Sequence, residues 1–120
     1  MVVRHVFEKT NFNDNWKVPL ATGEETQVVI MSVSPKTNPQ NEVGTETHAF
    51  DQVIFIISGQ AKVILDKKEH LVKKGDMIFV PLGTPHQIIN LNQDKPLKLM
   101  SVYSQKDMPD VIFKKQADEQ

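Results

Sequence analysis

Short runs of apolar and β-branched residues recur along the chain. Each is broken within a few positions by glycine, proline, asparagine or a charged pair. Gln27 to Ser34 (QVVIMSVS) is the plainest and predicts a strand. Gln52 to Ser58 and Ala61 to Leu65 read as a hairpin around Gly59. Asp66-Lys67-Lys68 turns the chain into a short strand over Glu69 to Lys73, and Lys74-Gly75-Asp76 leads into Met77 to Val80. His86 to Leu91 and Leu97 to Tyr103 follow, with a loop over Asn92 to Pro96 between them. Upstream, Val2 to Phe7 alternates weakly and reads as a first strand, an edge or an arm on a partner subunit. Trp16 to Leu20 is a short strand that Pro19 confines to a sheet edge. Pro35 to Gly44 reads as loop, and the polar tail from Gln105 as a short turn or helix near Met108-Pro109-Asp110, fraying over Ala117 to Gln120. No helical period persists, so the pattern predicts an all-β sandwich or barrel. It is one domain over residues 1–120, with a core from about 13 to 103, an N-terminal strand or arm over 1–12 and a tail over 104–120.

The most informative stretch is Gly75 to Asn90, GDMIFVPLGTPHQIIN. Pro81-Leu82-Gly83-Thr84-Pro85 cannot extend the preceding strand, because two prolines lack donors and the glycine permits positive φ. His86 therefore stands where the chain re-enters a sheet beside a stiff turn, a position from which an imidazole can be aimed. Upstream, Glu46 and His48 are two residues apart and share a face of an extended chain, as does Gln52 if the extension continues. Two imidazoles, a carboxylate and an amide oxygen make a mixed nitrogen and oxygen set suited to one divalent transition metal. Gln52 has two readings, direct ligand or hydrogen-bonding neighbour of a ligand. Without it the set is two histidines and a carboxylate, and either version leaves a position open for water or substrate.

The Gly75 to Asn90 stretch resembles the second conserved motif of the cupin superfamily: Gly75, Pro81, Gly83, His86 and Asn90 occupy every fixed position. Glu46, His48, Gln52 and Gly59 keep the spacing of the first cupin motif, with Glu46 in place of its first histidine and Gln52 in place of its glutamate. The resemblance runs from about Asn13 to Tyr103 and is nearest to small single-domain bacterial cupins of the mannose-6-phosphate-isomerase-like type. It implies a double-stranded β-helix, or jelly-roll barrel, with a metal in its tapered interior: zinc, manganese, iron or nickel at Glu46, His48, Gln52 and His86. It also implies a small-molecule ligand and, since cupins often pair or exchange edge strands, a homodimer.

Composition narrows the classes further. The chain has 120 residues, 39% of them apolar, and a formal net charge of −1, which gives no bias toward nucleic acid or acidic lipid. There is no cysteine, which removes disulfides and thiolate ligands. The N-terminus lacks the apolar core of a secretory signal, and no run approaches the roughly 20 residues a membrane helix needs. The expectation is a cytoplasmic protein. Asp51 points away from the Glu46 face in a regular strand and reads as a surface or turn residue. Tyr103 shares a strand face with Leu97, Leu99 and Ser101 and is a candidate proton or hydrogen-bond donor, with Glu46 the other catalytic candidate. Phe50, Phe55, Met77 and Phe79 read as core or cavity wall, Asn90 as structural, and His5, His70 and the lysine pairs at 67–68 and 73–74 as surface.

Three functions fit this set. A metal-dependent sugar isomerase would polarise a carbonyl while a base, Glu46 if it is free, moves a proton between adjacent carbons. A phosphosugar is disfavoured by the single arginine, Arg4, leaving only Lys36, Lys62 or Lys98 as point charges. An iron or manganese dioxygenase, or a related lyase on a small carbonyl compound, is the second. A non-catalytic sugar- or metabolite-binding barrel is the third.

Overall fold

Alternation along the strands sorts the chain into two antiparallel layers. A computed structural model describes residues 1–119. After a short helix α1 (Val6–Phe12), nine strands follow: β1 (Lys17–Thr22), β2 (Gln27–Val33), β3 (Glu42–Glu46), β4 (Gln52–Ser58), β5 (Gln60–Leu65), β6 (Lys68–Lys73), β7 (Met77–Val80), β8 (His86–Asn90) and β9 (Leu97–Tyr103). One sheet has the order β1-β2-β9-β4-β7 and the other β3-β8-β5-β6. Every pairing is antiparallel. This is the jelly-roll barrel that the cupin resemblance implied, within the sandwich or barrel class that the short strands and tight turns predicted.

The core lies between the layers. Ile54, Ile56, Leu97, Leu99, Val29 and Val33 from the larger sheet face Val63, Ala61 and Ile88 from the smaller, all of them buried. Each large aliphatic side chain so placed contributes roughly 1.5–3 kcal/mol. Asn90 ties the layers to the loops. Its amide donates to the carbonyls of Val33 (3.1 Å), Ser34 (3.0 Å) and Lys95 (3.0 Å), and its oxygen accepts from the Asn92 backbone (2.8 Å). It is completely buried, so a side chain of this size and polarity is needed there.

The structure departs from the sequence expectations in several places. Val2 to Phe7 is not a strand; Val6–Phe12 forms a helix against β9 and β4. Thr10 is its one buried side chain and donates its hydroxyl to the Val6 carbonyl (2.8 Å). Weak alternation over a few residues did not outweigh that packing. β3 begins inside the stretch expected to be loop, because Gly44 bends it by a bulge without ending it. Met77 and Phe79 are not core: they face outward on the edge strand β7, 58% and 50% exposed, while Ile78 and Val80 face in. The tail does not fray over Ala117 to Glu119. Gln116–Glu119 is a 3-10 turn, and Glu119 accepts from the Trp16 indole (3.1 Å) and from Lys17 (2.6 Å). Lys17 is almost fully buried and requires such a partner. Gln120 lies outside the described residues.

Replacing Asn90 with alanine strands buried carbonyls and is expected to lower unfolding stability by about 3 kcal/mol. Urea unfolding checks this: the midpoint should fall with the slope unchanged.

Candidate metal centre

The site is assembled at one end of the barrel, where strands from both sheets finish or begin. Glu46 is the last residue of β3 and pairs with His86, the first of β8. The pairing depends on Gly44. Its φ is +100°, and a Cβ there would come within 2.7 Å of the His86 carbonyl oxygen. Only glycine allows the bulge that slides Glu46 opposite His86. From Glu46 the chain leaves the sheet, passes through His48 and re-enters the other layer at Gln52, the first residue of β4. The three first-motif residues therefore do not share one extended strand face, as their spacing implied. Glu46 and His48 meet His86 in one cluster, while Gln52 opens a strand of the opposite sheet.

Short contacts hold that connection. The Gly83 backbone donates to the His48 carbonyl (2.8 Å), and Leu82 donates to the Asp51 carboxylate (2.9 Å), so the proline turn is laced to the β3–β4 link. Asp51 and Ser104 exchange two further bonds of 3.0 Å, tying in the end of β9. Asp51 is thus a turn residue, as expected, although it lies outside any strand.

Ligand-type atoms of Glu46, His48 and His86 all lie within 4.8 Å of one another, a cluster that could hold a metal ion. Glu46 Oε2 is 3.2 Å from His48 Nε2 and 4.0 Å from His86 Nε2. The shorter contact is off the direction a hydrogen bond needs, so both ring nitrogens are buried without a partner. His86 Nδ1 faces the Thr84 carbonyl at 3.0 Å, which fixes its proton there and turns the Nε2 lone pair toward the cluster. The His48 ring is stacked on Phe50 (4.7 Å between centroids, 17° between planes) and meets the edge of Tyr103 at 5.9 Å. Gln52 is buried. Its amide nitrogen donates to the Ser101 hydroxyl (3.2 Å), while its oxygen has no partner.

Two groups here are electrostatically displaced. Burial pushes the Tyr103 phenol far above its ordinary range, reinforced by the Asp107 and Glu46 carboxylates. Burial also raises the Asp107 carboxyl, against the pull of His48 and Lys17. Asp107 comes from the tail and was not singled out by the sequence. The only hint was Gln27, a long polar residue at the head of a buried strand. Gln27 accepts from the Asp107 backbone (2.9 Å) and from Met108 (3.1 Å).

Two of the three lysines considered as phosphate contacts are engaged elsewhere, and Lys36 is exposed. Lys98 binds the Asn13 carbonyl, Ser32 (3.1 Å) and Asp14 (3.3 Å). Lys62 lies 3.8 Å from Glu69. His5 and His70 are exposed, as expected. Grooves lined by Phe7 and Phe55 and by Trp16 and Ser32 open on the surface, and neither is lined by Glu46, His48, Gln52 or His86.

A two-sheet barrel with a histidine–carboxylate cluster at one end defines the cupin class. Residues 36–103 match the family described as the Cupin domain, and the chain belongs to that family. It is 34% identical over 110 residues to the uncharacterized protein L612 of Acanthamoeba polyphaga mimivirus, covering 89% of this chain and 67% of that protein. It is 35% identical over 63 residues to the uncharacterized protein MJ1618 of Methanocaldococcus jannaschii and spans 50% of that protein's length. Among solved structures, BH2720 from Bacillus halodurans superimposes with a TM-score of 0.89 at 26% identity, covering 98% of this chain and 91% of that one. No helix among the described residues is long and apolar enough to cross a membrane.

Tyr103 is the single tyrosine, so its state can be read directly. With its pKa raised, the folded phenol stays neutral while the unfolded chain ionises near 10.0. The stabilisation is complete below that pH and declines above it. Phenolate absorbance should be silent at pH 10 and appear only together with the loss of circular dichroism; a smooth titration in folded protein would contradict the burial.

Proposed function

We propose that this chain is a divalent-metal cupin acting on a small, neutral, sugar-like hydroxycarbonyl compound, with Glu46, His48 and His86 as ligands and Gln52 as a further donor. The supporting observation is the pair of orphaned ring nitrogens: His48 Nε2 and His86 Nε2 are buried without partners beside the Glu46 carboxylate. An unsatisfied buried polar group costs about 1–3 kcal/mol, and a cation removes that cost for both at once; Gln52 Oε1 is also buried and unpaired. The donors are nitrogen and oxygen with no sulfur, which suits manganese, iron, nickel or zinc. When bound, such an ion supplies Lewis acidity toward a substrate carbonyl.

The chain's own groups do the remaining work. Thr84 aims His86. Phe50 and Tyr103 wall the cluster, and the neutral Tyr103 phenol can donate a hydrogen bond. Glu46, when it is not a ligand, is placed to move a proton between neighbouring carbons, the step of an aldose–ketose isomerase. A neutral substrate fits better than a phosphosugar, because Lys98 and Lys62 are already partnered and buried Lys17 is paired with Glu119.

A second reading is favoured by the Gln52–Ser101 bond. If it holds Gln52 back from coordination, two histidines and one carboxylate remain, the facial set of iron oxygenases. Metal analysis of protein purified without added metal, followed by oxygen uptake and aldose–ketose exchange assays, separates the two. Bound metal with neither activity points to a binding barrel. His86→Ala is expected to reduce zinc or manganese affinity by more than the roughly 100-fold that loss of an outer contact causes. Gln52→Ala should approach that loss if Gln52 coordinates and stay within about tenfold if it does not. Parent-like affinity in His86→Ala would sink the site.

We also propose a homodimer through the outer side of β7. Met77 and Phe79 project there from an edge strand, next to a groove of about 460 Å³ lined by Phe7 and Phe55. Exposed apolar edges of this kind are normally covered. Light scattering should give twice the chain mass for the parent and a monomer for M77K/F79K; a monomeric parent would refute it.

A further inference from the structure

His86 and His48 offer the cluster the same atom, Nε2, but only His86 has a backbone carbonyl fixing its other nitrogen. At the corresponding place beside His48 stands Asp107, whose Oδ1 is 3.7 Å from Nδ1. We infer that Asp107 is a positioning residue of the metal centre: its carboxylate holds the His48 proton on Nδ1, directs Nε2 inward and raises the ring's basicity toward the cation. The inference rests on the metal-centre reading above.

Several observations converge on it. The His48 ring is flanked by Phe50, stacked on one face, and by Tyr103, edge-on. Its two nitrogens look in different directions, Nε2 toward Glu46 and Nδ1 toward Asp107. Asp107 is not a chance neighbour on a loose tail. Gln27, with no exposed surface, receives the backbone N–H groups of Asp107 and Met108 and donates to the Met108 carbonyl (3.0 Å). Met108 is itself buried in the core. The main chain at 107 is thus clamped from inside the barrel, independently of what the carboxylate does. The gap of 3.7 Å is longer than a hydrogen bond; contacts of this kind are often loose in a free site and tighten when it is filled. Carboxylate partners to ligating histidines are a general device for fixing tautomer and orientation. Asp107 also lies outside the segment that matches the cupin family, residues 36–103. The tail would therefore complete a centre whose ligands all come from the barrel.

The test compares zinc binding by calorimetry in the parent, Asp107→Ala and Asp107→Asn, together with nitrogen-15 histidine spectra of the zinc-loaded proteins. Four histidines, two of them exposed, keep those spectra readable. Asp107→Ala leaves the clamped backbone intact and is expected to bind zinc about 10–100-fold more weakly. It should also lose the slowly exchanging Nδ1 proton of His48 while the His86 proton persists. Asp107→Asn retains an acceptor of the same shape without the charge, so it should fall between the two and recover the proton signal. Parent-like affinity and an unchanged His48 signal in both variants overturn the role of Asp107 and leave the metal centre standing. A parent that takes up no zinc, manganese or iron overturns the metal centre itself.

Discussion

Everything at the functional end of this barrel depends on one pairing across two strand ends, Glu46 opposite His86. The pairing exists because Gly44 lets β3 bulge against the His86 carbonyl, an approach that any side chain would block. It brings a carboxylate and an imidazole to the rim of an apolar core, where Glu46 keeps some contact with water but the His86 Nε2 is buried without a protein partner. The fold supports that unfavourable arrangement with rigid surroundings. The proline turn is bonded to the β3–β4 connection through Gly83 and Asp51, and the same connection is bonded to the end of β9 through Ser104. Polar atoms left unpaired in a stiff frame stay poised for an incoming partner, whereas in a soft frame they would collapse onto one another.

The strands that carry alternation between turn residues were legible in the sequence. β4, β5, β7 and β9 fall within a residue of where pattern alone put them, because each has one face in the core. The elements that were missed lack that asymmetry. β3 reads EVGTE, with a single buried apolar side chain, so nothing in its pattern separates it from the loop before it. Helix α1 buries only Thr10 and leaves Phe7 and Phe12 in solvent, so its period is too faint to see. Met77 and Phe79 show the reverse problem: hydrophobic residues on an edge strand look like core until the strand's neighbours are known.

For the site, Glu46, His48 and His86 do meet in one cluster, but not for the reason their spacing suggested. Their spacing was read as one strand face, whereas Glu46 and Gln52 belong to different sheets. A motif can preserve a distance in three dimensions without preserving a secondary structure. Asp107 was beyond such reasoning. Its approach to His48 depends on where an irregular tail is pinned, and the pin is a buried glutamine whose partners are backbone groups with no residue signature.

The seating of the last turn has an optical consequence. Trp16 is the only tryptophan, and its indole N–H is bonded to Glu119 within a nearly buried environment. The chain thus carries a built-in fluorescent gauge. Emission colour from one indole follows the docking of the turn that carries Glu119, with no label added.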